Sequence, residues 1–229
     1  MNARPSFGGG MERYYEAQFE ELRDLLLRMS YLALENLTRA LDGLFSRDVG
    51  LCAKVMEDDR EIDQLEIRVD HACIDILLQR QPVAKDLRFT TMAMKINTNL
   101  ERLGDQAVYI ARVGCDLSRL PPITDNFGLP GLGERAREAV QKAMDAFVRE
   151  DVELAMRVRA GDEEINRAHR EMIQNLFRFM SENPTRMPQA VELIFLAQSL
   201  ERVADYAKNI ADEVVYVVEA FDPRHRKSP

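Results

Sequence analysis

Glu101 and Asp105 are four residues apart, and so are Glu201 and Asp205. On a helix this spacing stacks both carboxylates on one face, roughly 6 Å apart. Like charges so placed repel unless a cation lies between them. The chemistry such pairs can do is therefore the holding of a hard metal ion by oxygen. Asp59 and Asp63 repeat the spacing, and 103 residues further on stand Asp162 and Asn166, with one charge fewer. If the helices that carry them are antiparallel neighbours, Asp59 and Asp63 face Glu101 and Asp105 across a groove, and Asp162 faces Glu201 and Asp205. Glu66 and Asp70 form another pair, but His169 and Ile173 stand at the matching positions, so it carries less weight. All-oxygen donors suit magnesium, manganese or iron and do not resemble a closed Cys/His zinc site.

A single E-x-x-x-D is ordinarily solvated helix surface. Here it recurs inside a longer match. Leu100-Glu101-Arg102-Leu103-Gly104-Asp105 returns as Leu200-Glu201-Arg202-Val203-Ala204-Asp205. Asp48-Val49-Gly50-Leu51 returns as Asp151-Val152-Glu153-Leu154, and Asp59-Arg60-Glu61-Ile62 as Asp162-Glu163-Glu164-Ile165. The offset is 103 residues upstream and 100 downstream, so one connection is three residues shorter in the second copy. A unit of this length is too long for a solenoid repeat and fits a duplicated small bundle.

The elements that must position these residues are helices. Leu22, Leu25, Leu26, Met29, Leu32, Ala33 and Leu37 give a stripe of helical period within a first helix over 12–45. Asp48 is placed to cap a second helix, striped by Val55, Ile62, Leu65, Val69 and Cys73. Gln81-Pro82 ends it. A third helix follows over 83–115. Prolines and glycines dominate 117–133, which reads as a linker. Further helices are expected over 134–149, 151–181 and 187–220, with Asn183-Pro184 as the second copy's break. Short connections make successive helices antiparallel. The expected fold is all-α: two tandem pseudo-symmetric three-helix bundles, over 11–116 and 134–221. Residues 1–10 read as a frayed lead and 222–229 as a loosely held basic tail.

Composition agrees and excludes. There is no Trp, and Leu, Ala, Met, Glu and Arg favour helix. The net charge of −8 argues against a nucleic-acid surface. The three cysteines have no C-x-x-C spacing and read as buried apolar residues in a reducing compartment. No apolar run reaches the length of a membrane span, and the first ten residues lack the apolar core of a signal peptide. The expected location is the cytoplasm. No nucleophile elbow, P-loop or dinucleotide fingerprint occurs, and nothing argues for catalysis. Two other readings are a carboxylate-bridged metal enzyme of ferritin-like type, which would need the missing E-x-x-H ligands, and a metal-free helical scaffold.

Arg80-Gln81-Pro82-Val83-Ala84-Lys85-Asp86-Leu87-Arg88, followed by the first L-E-R-x-x-D string, resembles the PhoU family of phosphate-signalling regulators. The second string, with Asn209-Ile210 and the closing Phe221-Asp222-Pro223-Arg224-His225, fits the same family. The resemblance implies two tandem three-helix bundles and a cytoplasmic negative regulator of phosphate uptake and of the phosphate-starvation response. It implies as partners the ATPase subunit of a phosphate ABC transporter and a sensor histidine kinase. Membrane contact would come only through partners, and a homodimer is expected. It implies metal at the E-x-x-x-D motifs, with iron, zinc, magnesium and manganese all open. Glu101, Asp105, Glu201 and Asp205 match those motifs directly, whereas Asp59, Asp63 and Asp162 are added from geometry. Asp63 against Asn166 and Tyr109 against Asn209 predict two sites of unequal strength, the first the more acidic, and Gly104 against Ala204 is a further difference between them.

Overall fold

The computed structural model of the protein describes residues 8–123, 125–221 and 223. Six long helices account for nearly all of them: α1 (Gly8–Ser46), α2 (Val49–Arg80), α3 (Ala84–Ser118), α4 (Leu129–Arg149), α5 (Val152–Glu182) and α6 (Met187–Glu219). One 3-10 turn, Pro184–Arg186, leads into α6. Helices α1, α2 and α3 pack on one another as one bundle, and α4, α5 and α6 as the other. No helix of the described residues is long and apolar enough to cross a membrane.

The ends of these helices follow local chemistry. Asp48 accepts the amides of Gly50 and Leu51 at 2.8 and 3.1 Å, and Asp151 accepts that of Leu154 at 2.9 Å. Each cap satisfies amides that the first helical turn leaves without partners. The residue before each cap is left-handed without being glycine: Arg47 has φ 59° and Glu150 φ 50°. They stand 103 residues apart, so the same sharp corner is built twice. The two corner residues are held differently: Arg47 is tied within its own bundle, and Glu150 reaches across to the first. Arg47 donates to the carbonyls of Leu117, Ser118 and Leu120 at the end of α3. Glu150 accepts from Arg23 at 3.1 Å and Lys85 at 2.9 Å.

Two boundaries differ from those expected. Helix α4 starts at Leu129, not near residue 134, so the linker narrows to 119–128. Pro130 lies in the first turn of α4, where its missing N–H costs nothing. Gly128, at φ 85°, turns the chain into the helix, and Leu129 and Leu132 are buried. Residues Gly8–Gly10, expected to fray, are the first residues of α1. The expected lead over 1–7 and most of the basic tail lie outside the described residues.

The apolar stripes become one continuous core. Leu22, Leu26, Met29, Leu37, Ile62, Leu65, Ile96, Leu100, Leu103 and Ile110 are almost fully buried in the first bundle. Val140, Leu176, Leu196, Leu200, Val203 and Ile210 do the same in the second. All three cysteines are buried and unbridged. The bundles meet along α3 and α6. Lys95 donates to both carboxylate oxygens of Glu213 at 3.0 and 3.1 Å, and Ser199 donates to Gln106 at 2.6 Å. As numbering rises along α3 it falls along α6, so the two seam helices are antiparallel.

Candidate metal centre

Helices α2 and α3 bring the first set of predicted residues together. Asp59 and Asp63 lie on α2, Glu101 and Asp105 on α3, and Glu66 joins them from the next turn of α2. Asp59 sits hard against the facing backbone. A Cβ built on Gly104 would lie 3.0 Å from Asp59 Oδ1 and 3.1 Å from Ile62 Cδ1. Gly104 is therefore the close-approach point that lets this carboxylate reach α3. Among the described residues, Asp59, Asp63, Glu101 and Asp105 make no ion pair with an arginine, lysine or histidine.

The cost of this crowding is written in their acidity. Glu101 is pushed up to about 7, first by burial, then by the charges of Asp105, Glu66 and Asp63, with Arg102 pulling it back. Asp59 is pushed up to about 6, by burial first and then by Asp63 and Asp105. Glu66 is raised by burial and by Asp70, Asp63 and Asp105. The pair given less weight from sequence thus takes part through Glu66. Asp70 is turned to Asn97, whose side-chain amide donates to it at 2.9 Å.

In the second bundle Asp162 on α5 faces Glu201 and Asp205 on α6, as the repeat requires. Glu201 is raised by burial, Asp205 and Asp162, and lowered by Arg202 and Lys208. Asp205 is raised by burial and Asp162, and lowered by Lys208. Lys208 Nζ lies 2.7 Å from Asp162 Oδ2, and Asn166 donates to the same oxygen at 3.1 Å. Sequence reasoning passed over Lys208. The signal was there: the register places Val108 at the matching position of the first copy. Tyr109, expected to distinguish the two sites, is turned elsewhere. Glu192 and Arg202 of α6 act on its hydroxyl, and the guanidinium of Arg112 lies 5.3 Å from its ring centre.

The first-bundle residues fit a hard cation in donor type and in uncompensated charge. They do not form a closed cage. Among the described residues, no group of three or more His, Cys, Asp and Glu side chains has its ligand atoms gathered for a metal ion. Asp63 and Asp105 are exposed, so the arrangement is an open carboxylate face. When bound there, a cation would supply the positive charge these side chains lack.

The raised carboxyls give a pH dependence with a definite sign. An unfolded carboxyl releases its proton at about pH 4, whereas folded Glu101 holds its proton to about 7 and Asp59 to about 6. Across that interval the folded chain binds more protons than the unfolded one, so stability falls as pH rises. Glu150, held low by Lys85 and Arg23, Glu134, held low by Arg137, and His169, held low by burial and Arg170, work the other way, but the raised carboxyls Asp59, Glu66, Glu101, Glu201 and Asp205 outnumber them. Chelator-treated protein is expected to melt several degrees higher at about pH 5 than at about pH 8. A thermal midpoint that is flat or rising over that range would contradict this picture of the face.

Paired antiparallel helices, one acidic face per bundle and a seam of α3 on α6 define a duplicated α-helical protein. The comparisons with known proteins place it. The PhoU domain family model matches residues 26–113 and again 129–214, and the chain belongs to the PhoU family. It is 35% identical over 216 residues to the phosphate-specific transport system accessory protein PhoU homolog of Pseudomonas putida, covering 94% of this chain and 84% of that one. The crystal structure of PhoU from Pseudomonas aeruginosa superposes with a TM-score of 0.88 at 34% identity, covering 90% of this chain and all of that one. The phosphate transport system regulatory protein PhoU from Streptococcus pneumoniae shares the fold, with a TM-score of 0.84 at 24% identity over 91% of this chain and 98% of that one.

Proposed function

We propose that the protein is an accessory regulator of phosphate transport that restrains uptake and the phosphate-starvation response. The observation that carries this reading is a near full-length likeness to a protein named as an accessory of the phosphate-specific transport system, spanning 94% of this chain. It acts in the cytoplasm as an adaptor between the ATPase subunit of the phosphate transporter and a sensor histidine kinase. It does so as a homodimer and without turnover of its own. A divalent or trivalent cation on the carboxylate face of Asp59, Asp63, Glu101 and Asp105 belongs to the same proposal, supported by the charge those residues carry without a partner.

The test is a pull-down of the transporter ATPase with the full chain, with and without chelator, beside expression of starvation genes in a deletion strain. Capture of the ATPase and starvation genes expressed at high phosphate are the expected results. Unchanged expression in the deletion strain would remove the regulatory role. Capture that ignores chelator would leave the adaptor role standing and detach the metal from it.

A further inference from the structure

The two acidic faces are related by the repeat, but their charges are balanced differently. The first has four carboxylates, Asp59, Asp63, Glu101 and Asp105, with Val108 beside them. The second has three, Asp162, Glu201 and Asp205, with Asn166 in place of Asp63 and Lys208 in place of Val108. The ammonium is seated among the acids. It donates to Asp162 Oδ2 at 2.7 Å, and the charges of Asp162, Asp205 and Asp212 act on it. Asp162 is only 8% exposed. Its other oxygen, Oδ1, is buried with no hydrogen-bond partner. A carboxylate so buried must be paired, because removing its counter-charge leaves a desolvated anion. Ala204, where the first copy has Gly104, adds a methyl at the close-approach point.

We infer that the Lys208 ammonium is the resident cation of the second bundle, standing where a metal ion would stand and keeping that bundle's carboxylates from taking one up. The inference rests on the metal reading of the first bundle's face and deepens it: the protein takes metal on one face only, and Lys208 against Val108 decides which. A hard divalent ion entering the second face would meet a fixed positive charge at hydrogen-bond distance from its best ligand. It would have to displace an ammonium whose hydrogen bond that ligand accepts. In the first bundle Val108 offers neither charge nor donor.

The experiment measures Mn²⁺ binding to the full chain, by calorimetry and equilibrium dialysis, for wild type, Lys208→Met, Val108→Lys and the double variants Glu101→Ala/Asp105→Ala and Glu201→Ala/Asp205→Ala. Wild-type binding is expected to disappear in Glu101→Ala/Asp105→Ala, to weaken at least about tenfold in Val108→Lys, and to survive in Glu201→Ala/Asp205→Ala. Lys208→Met is expected to gain a further equivalent, abolished when Glu201→Ala/Asp205→Ala is added. Its thermal midpoint, lower than wild type without metal, should rise on adding Mn²⁺. If Lys208→Met does not fold, Val108→Lys decides, since an ammonium placed in the first bundle must expel metal there. Wild-type binding lost in Glu201→Ala/Asp205→Ala overturns the inference and leaves a metal protein. So does a folded Lys208→Met with no added site. Binding by Lys208→Met alone, with none by wild type, supports Lys208 as the resident cation and removes the first-bundle metal. Binding by neither removes both.

Discussion

Glu101→Gln will raise the thermal midpoint of the metal-free protein and abolish the further rise that Mn²⁺ gives to wild type. Both halves come from one cause. Glu101 is a half-buried carboxyl pressed by Asp105, Glu66 and Asp63, and its proton is held to about 7. Near neutral pH the folded state therefore bears a charge it would rather not have, and an uncharged amide of the same shape relieves it. The gain in metal-free protein is a few degrees. The loss is larger. A ligand at a hundred times its Kd stabilises the fold by about 2.7 kcal/mol, and a site without its central carboxylate forfeits most of that. Differential scanning fluorimetry of both proteins, with chelator and with Mn²⁺, reads the two effects together. A variant less stable than wild type in chelator would show that Glu101 has a partner the charges do not reveal. A variant that keeps the full Mn²⁺ shift would move the site elsewhere.

Arg159→Met is expected to be the most damaging single change outside the apolar core. Its Nε lies 2.6 Å from Oδ1 of Asp212, whose side chain is only 4% exposed. The contact is an ion pair and not a well-directed hydrogen bond, so its worth lies in charge. Taking away the guanidinium removes the closest counter-charge of Asp212, which stays buried in α6 with the Lys208 ammonium as a second one, so the loss is expected at the low end of the range for a broken buried pair, about 3 kcal/mol. Replacing both partners, Arg159→Met with Asp212→Leu, should recover most of that, because two apolar groups of similar size leave no charge behind. Urea denaturation of the single and double variants measures the difference. A single variant within about 1 kcal/mol of wild type would mean that Asp212 is neutralised by other means.

Much of this architecture was legible before any coordinates. The apolar periods of the first two helices, the cap at Asp48 and the breaks at Gln81-Pro82 and Asn183-Pro184 all act locally. Local chemistry is what a sequence displays. The start of α4 was hidden for the opposite reason. Pro130, Gly131 and Gly133 read as loop residues, yet proline is equally at home in a first helical turn, and what selects helix there is the burial of Leu129 and Leu132. The carboxylates were found because their spacing is intrahelical. Lys208 was missed because its partner, Asp162, is on another helix, 46 residues away. Nothing local marks Asp212 and Glu213 as buried, and both are buried because α6 is packed on by α3, α4 and α5.

The seam between the bundles places the acidic faces on a common mechanical part. Helix α3 is 35 residues long, a stiff rod of about 50 Å. Along one side it carries Glu101 and Asp105, and along another it lies on α6 through Lys95 and Gln106. Drawing α2 toward α3 by neutralising the carboxylates between them therefore strains a beam, not a loop. Another side of the same rod is packed on α6 of the other half of the molecule, so the first acidic face and the opposite bundle share one rigid element that bypasses the linker.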